Sequence, residues 1–155
     1  MKNITIVGTG YVGLVTGVGL AEFGNKVICV DIDKDKISQL KSGLIPIYEP
    51  GLEEIIKRNV KSERLYFSDD ISMSIQKSQV IIIAVGTPQT SNGEANMKYV
   101  NSVLRAINQN LKENGKNLIS NTQSTTKFNV QRSTILKRKT VVINKKYTTY
   151  TLIVY

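Results

Sequence analysis

Apolar positions along the chain fall into short runs and helically spaced stretches. Asn3–Val7 is a short β-branched run that ends in glycines, the mark of a buried strand entering a turn. Val12–Phe23 is small and apolar and stops at Gly24-Asn25, which predicts a helix with a glycine exit. Lys26–Ile32 predicts a second strand. Lys34–Ser42 predicts a short helix with Asp33 as its N-cap and Gly43 past its end. Gly51–Val60 predicts another helix, with Pro50 near its first turn and Glu53 and Glu54 at the positive end of its dipole. Leu65–Phe67 predicts a strand, and Ser68-Asp69-Asp70 then caps a helix running to about Lys77.

Val80–Val85 is wholly apolar, as a parallel strand covered on both faces is. Met97, Val100, Leu104, Ile107 and Leu111 recur at helical spacing, which predicts an amphipathic helix over Met97–Leu111. Strands and helices thus alternate, and that order implies a parallel sheet with helices on both faces. The predicted fold class is α/β, a doubly wound parallel sheet of the Rossmann type, incomplete or irregular at its C-terminal end. In such a sheet a ligand lies at the C-terminal ends of the strands.

Charge divides the chain. Of 155 residues with a net charge of +9, residues 1–110 carry 12 basic and 11 acidic side chains, while residues 111–155 carry 9 basic and 1 acidic. The last stretch has one glycine and no proline, so turn signals are scarce there. It holds two β-prone runs, Thr140–Ile143 and Tyr150–Tyr155. The expected organisation is a cofactor-binding domain over 1–116 and a divergent basic tail over 117–155 that completes the sheet in part. Residues 117–138 read like an insertion or another reading frame, so a truncated or frame-disrupted gene product is the expectation.

Composition excludes several chemistries. With no His and a single Cys, the chain alone builds no Ser-His-Asp triad, Cys-His dyad, His-ligated metal site or internal disulfide. No metal site is expected. One Cys fits a reducing compartment. The longest apolar run, six residues at Val80–Val85, falls short of the roughly 18 that a membrane span requires. The expected setting is cytoplasmic, with no membrane partner. The basic tail would bind nucleic acid in a salt-dependent way, yet it has no recognised motif and few aromatics, so no nucleic-acid partner is expected.

The chemistry gathers at Gly8-Thr9-Gly10-Tyr11-Val12-Gly13, a G-x-G-x-x-G between a predicted strand and a predicted helix. Gly8 permits the tight turn, Gly10 lets the backbone approach a pyrophosphate, and Gly13 lets the helix pack close to the sheet. The helix N-terminus then receives the anion. Asp31 ends the second strand 18 residues after Gly13, where an acid hydrogen-bonds the adenosine ribose. Its charge opposes a 2′-phosphate, which favours NAD over NADP, although Lys34 and Lys36 lie near enough to soften the effect.

Two further places stand open. Thr87, after the apolar strand in Gly86-Thr87-Pro88, is either a ribose or phosphate contact or the cap of an ordinary turn. The loop Ile45–Glu54, stiffened by Pro46 and Pro50, is either a connector or a recognition loop, and composition favours the connector. Cys29, in the middle of a strand, reads as a small buried thiol.

Several stretches in order resemble the nucleotide-sugar dehydrogenases: I-V-G-T-G-Y-V-G-L-V-T-G, L-A-E-F-G, C-V-D-I-D, I-P-I-Y-E-P-G-L-E-E, A-V-G-T-P and G-E-A-N-M-K-Y-V. The match covers about residues 1–113. The I-P-I-Y-E-P-G form and the E-F-G turn resemble the UDP-glucose branch more than the GDP-mannose branch. The resemblance implies oxidation of the C6 alcohol of UDP-glucose to a carboxylate with reduction of two NAD, through a Cys nucleophile that holds the intermediate aldehyde. It implies NAD contacts from Gly8, Gly10, Tyr11, Val12, Gly13, Asp31, Lys36 and Thr87. From sequence alone Lys36 is a solvated helix charge. It also implies a dimeric or larger assembly built largely through a central helix.

The family's catalytic Cys, Lys and Asn lie beyond residue 155, and Cys29 does not replace them, so no catalytic residue is assigned. Lys139–Lys145 (K-T-V-V-I-N-K) resembles a family strand but lacks the S-T-V-P that follows it there. Gln123-Ser124-Thr125-Thr126 is a fainter match to that motif. Two functions are thus in contention: a UDP-glucose dehydrogenase active only in a longer chain, and an NAD-binding module without turnover.

Overall fold

The computed structural model describes residues 1–94, 96–113, 131–132, 139–145 and 148–154, and side-chain environments up to residue 110. The Gln123–Thr126 stretch, and with it most of 117–138, lies outside the described residues. Among the described residues seven strands form one sheet in the order β3-β2-β1-β4-β7-β6-β5. These are β1 Asn3–Val7, β2 Lys26–Val30, β3 Leu65–Ser68, β4 Val80–Ile83, β5 Gln131–Arg132, β6 Lys139–Lys145 and β7 Thr148–Val154. The helices are α1 Tyr11–Glu22, α2 Lys34–Lys41, α3 Leu52–Lys61, α4 Ile71–Lys77 and α5 Lys98–Glu113.

β1, β2, β3 and β4 pair in parallel with β1 at the centre, so the order reverses beside β1. Strand alternation sorts the core into two layers. Ile4 and Ile6 of β1 and Ile82 of β4 face α1, α2 and α3, where Leu14, Val18, Ile37 and Ile56 pack. Val7, Ile81 and Ile83 face the other way, against Ile75, Val100, Val103 and Ile107 of α4 and α5. That explains the unbroken apolar reading of β4: both of its faces are covered.

Local signals place the helix ends. The Asp33 side chain accepts from the Lys36 N–H and caps α2, and Asp70 accepts from the Met73 N–H and caps α4. Gly24 and Gly43 take φ +86, the left-handed conformation that ends a helix cheaply only in glycine. The strands stop earlier than predicted, β2 at Val30 and β4 at Ile83, because the chain turns outward there to form the site.

The C-terminal strands add both parallel and antiparallel pairing to the sheet. The K-T-V-V-I-N-K strand, β6, does not lie beside β4. β7 takes that slot in parallel, with Ile81 opposite Leu152, Ile82 opposite Ile153 and Ile83 opposite Val154. β6 then pairs antiparallel with β7. Only two residues separate β6 from β7, and a parallel pair requires a crossover of about a dozen residues or more, so the two strands form an antiparallel pair. The apolar Leu152–Val154 run meets the buried β4 edge.

Candidate dinucleotide site

The C-terminal ends of β1, β2 and β4 meet at one place, and the glycine turn fills it. The Gly8 N–H donates to the Val30 carbonyl at 2.7 Å, and the Ala84 N–H donates to the Val7 carbonyl at 2.8 Å. Gly8 has φ +104, and a Cβ there would stand 2.6 Å from the Ala84 carbonyl oxygen. Only glycine fits both constraints. Gly13 is bound by its neighbours in another way: a Cβ on it would lie 1.9 Å from the Gly8 carbonyl oxygen. It is what lets α1 start directly against the turn.

Gly10 differs from both. No atom of the described residues lies within 4 Å of where its Cβ would be, so what its missing side chain keeps clear is open space beside them. Gly10 is also the N-cap of α1, no side chain caps that end, and the first turn carries no acid. The N–H groups of Tyr11, Val12 and Gly13 and the helix dipole are therefore free of a protein anion. This is the arrangement that a pyrophosphate fits.

Asp31 is held from three sides. Its Oδ2 accepts from the Thr9 N–H at 2.8 Å and from the Thr9 hydroxyl at 2.7 Å, and its Oδ1 accepts from the Asp33 N–H at 3.2 Å. The Lys36 ammonium lies 3.5 Å from Oδ2. Burial alone would raise the Asp31 pKa, but the Thr9 and Asp33 hydrogen bonds and the Lys36 charge outweigh it and hold the carboxyl below its ordinary range. An ionised carboxylate has about four acceptor positions, and three are occupied, so one on Oδ1 remains for a hydroxyl donor.

Lys36 is thus an ion-pair partner of Asp31 rather than a freely solvated helix charge. Thr87 is half-buried, three residues past Ala84 at the end of β4, and no hydrogen bond ties it to the turn or to Asp31. Tyr11 is exposed, and its hydroxyl donates to Glu49 Oε2 at 2.6 Å, which raises the Tyr11 pKa through the hydrogen bond and then the nearby charge. The 44–51 loop is therefore fastened to the start of α1, with Ile45 and Ile47 packed on the core.

Three participants were not legible in the sequence. Thr9 is 1 % exposed and orients Asp31 across 22 residues, and only the fold brings the two together. Glu49 reaches Tyr11 across 38 residues. Gly17 presses α1 onto β2, since a Cβ there would lie 2.5 Å from the Cys29 sulfur. Cys29 is fully buried, and burial pushes its thiol up to about 12, so it is inert packing as its mid-strand position suggested. Among the described residues no cluster of His, Cys, Asp and Glu is arranged to hold a metal, and no helix is long and apolar enough to cross a membrane.

Residues 2–153 match the model of the UDP-glucose/GDP-mannose dehydrogenase family, NAD binding domain. The chain is 51 % identical over 121 residues to the UDP-glucose 6-dehydrogenase TuaD of Bacillus subtilis, covering 78 % of this chain and 26 % of that protein. A UDP-glucose 6-dehydrogenase of Rhizobium meliloti is 51 % identical over 110 residues, 70 % of this chain and 25 % of the relative. Among solved structures, a UDP-glucose dehydrogenase from Pyrobaculum islandicum aligns with a TM-score of 0.70 at 36 % identity, over 74 % of this chain and 27 % of that one. A GDP-mannose dehydrogenase from Pseudomonas aeruginosa aligns at 0.69 and 37 %, over 72 % and 26 %. The chain spans about a quarter of the length of these relatives. With its glycine turn, its central parallel strands and a family match along nearly its whole length, the chain belongs to the UDP-glucose/GDP-mannose dehydrogenase family and represents its NAD-binding domain.

Proposed function

We propose that the chain is the cofactor-holding part of a UDP-glucose 6-dehydrogenase, and that by itself it binds NAD without turnover. The observation that carries this reading is the Asp31 carboxylate, fixed by Thr9 beside a helix N-terminus that no side chain of the described residues caps. NAD supplies the hydride acceptor for alcohol oxidation. The chain's own residues bind and orient it. The N–H groups of Tyr11, Val12 and Gly13 hold the pyrophosphate, with Gly8 shaping the turn and Gly10 leaving it room. Asp31 accepts from a ribose hydroxyl, and Lys36 steadies that carboxylate and contacts the same ribose. Thr87 contacts the ribose or phosphate on the β4 side.

UDP-glucose as the sugar nucleotide is supported by the two relatives at 51 % identity that bear that name. Residues 1–116 form the cofactor unit, and 117–155 extend its sheet in part. The setting is cytoplasmic, and nucleic acid is not a partner. Assembly into a homo-oligomer belongs to a longer chain.

Calorimetric titration of the 155-residue chain with NAD and NADP tests the cofactor reading. Saturable NAD binding with weaker NADP binding is the expected result, and no binding of either would overturn it. A parallel assay for NADH formation with UDP-glucose should show none, and measurable turnover would refute the claim that the chain is non-catalytic.

A further inference from the structure

The sheet face that carries α4 holds a concavity of about 730 Å³ that has no part in the dinucleotide site. Its origin is the shortness of α4. This seven-residue helix packs on β1 and β2, and on β1 the Thr5 hydroxyl meets the Ser74 carbonyl and the Ser78 hydroxyl. Ile28 and Tyr66, side by side in the β2–β3 register, are left as an apolar floor. Tyr66 is 42 % exposed and Met73, on the α4 side, 37 %. The Tyr66 hydroxyl donates to the Glu63 carbonyl at 2.8 Å, which anchors one end of the ring.

The rim is cationic. Lys26 from the start of β2, Lys41 from the last turn of α2 and Lys77 from the last turn of α4 line the concavity, and among the described residues no Asp or Glu does. The ion pairs of the described residues use Lys36, Lys57 and Arg58, and none of these three lysines. Lys41 and Lys77 also suit the negative ends of their helices, but Lys26 begins a strand and has no such role. The first 110 residues are close to charge-balanced, so three unpaired lysines around one apolar floor are a local concentration. An apolar and aromatic floor inside a cationic rim is complementary to a flat ring that carries phosphate. The volume lies within the range of small-molecule sites, roughly 300–1,000 Å³.

We propose that this concavity is a second binding site, for a nucleoside phosphate, with the base over Ile28, Tyr66 and Met73 and the phosphates among Lys26, Lys41 and Lys77. None of the residues lining it belongs to the glycine turn, and neither Asp31, Lys36 nor Thr87 lines it. The proposal therefore stands apart from the cofactor reading.

The chain has three methionines, Met1, Met73 and Met97, so methyl-labelled methionine gives a spectrum with one reporter in the concavity. UDP, ADP and inorganic phosphate are titrated separately into the full 155-residue chain. The expected result is a saturable shift of the Met73 methyl with either nucleotide, and a much weaker response to inorganic phosphate. The Lys26→Gln/Lys77→Gln double variant should weaken that response about tenfold, as expected for two partly solvated charge contacts. Both lysines are exposed, and an unmoved Met97 signal shows that the variant keeps its fold. The Gly10→Ala variant should leave the Met73 response intact. A Met73 signal that ignores nucleotide, or responds equally in the double variant, overturns the proposal. So does a response that Gly10→Ala abolishes, because the nucleotide would then be on the glycine turn.

Discussion

Gly10 and Gly13 share a motif but not a physical role, and substitution separates them. Gly13→Ala drives a Cβ to 1.9 Å from a backbone carbonyl that cannot move away without opening the turn. Such a clash should cost about 3 kcal/mol or more of stability, read as a lower denaturant midpoint. Gly10→Ala meets no atom of the described residues, so its thermal midpoint should stay within a few degrees of the parent while NAD affinity falls roughly tenfold or more. A Gly10→Ala protein that unfolds as readily as Gly13→Ala would refute the assignment of that open space to the ligand.

The Asp31 environment makes a pH prediction. Its folded pKa lies below the ordinary 3.8, so the stability it contributes is fully present above that value and is lost as pH falls through the lowered one. The difference in thermal midpoint between parent and Asp31→Asn should therefore be constant from neutral pH to near 3.8 and shrink only below it. Thr9→Val removes one of the donors to Oδ2, and it should cost about 1 kcal/mol and reduce the part of the Asp31 contribution that is lost below pH 3.8. A midpoint difference that already shrinks near neutrality would contradict the hydrogen-bonded carboxylate described above.

At the scale of elements, α1 is held to the sheet by contact rather than by capping. Gly17 gives it closeness to β2, and Cys29 occupies the space that results. Gly17→Ala alone should destabilise by about 1–3 kcal/mol through overpacking. Combined with Cys29→Ala, which removes the sulfur it strikes, the cost should be well below the sum of the two single changes, as for residues in direct contact. Additive costs in a denaturation cycle would show that the two positions do not compete for one space. The helix caps at Asp33 and Asp70 were legible because a cap and its helix lie within three residues. The Gly17–Cys29 fit was not, since it joins two elements whose relative height no local pattern specifies.

Over the whole molecule, β7 closes the flank of the parallel sheet that β4 would otherwise expose. Ile81–Ile83 pair with Leu152–Val154 along that edge. A chain ended after Glu113 should therefore present an apolar, unpaired edge strand and self-associate, visible as concentration-dependent oligomers in light scattering. A monodisperse monomer would show that β7 adds nothing to the protection of the edge.

What the sequence determined by itself is what short-range chemistry carries. Short apolar runs and helical spacing located the strands and helices up to Leu111, and the glycine turn and Asp31 announced the cofactor because their roles rest on backbone freedom and charge at near-constant spacing. Only the tertiary structure decided what depends on distant chain segments meeting. It placed Thr9 under Asp31, fastened Glu49 to Tyr11, and paired Lys36, by sequence alone a solvated helix charge, with the Asp31 carboxylate. It also chose β7 over the K-T-V-V-I-N-K strand as the neighbour of β4. Both β-prone runs are plain in the sequence, but which one pairs with β4 depends on chain connectivity and on burial of an apolar edge, and neither is written in a local pattern.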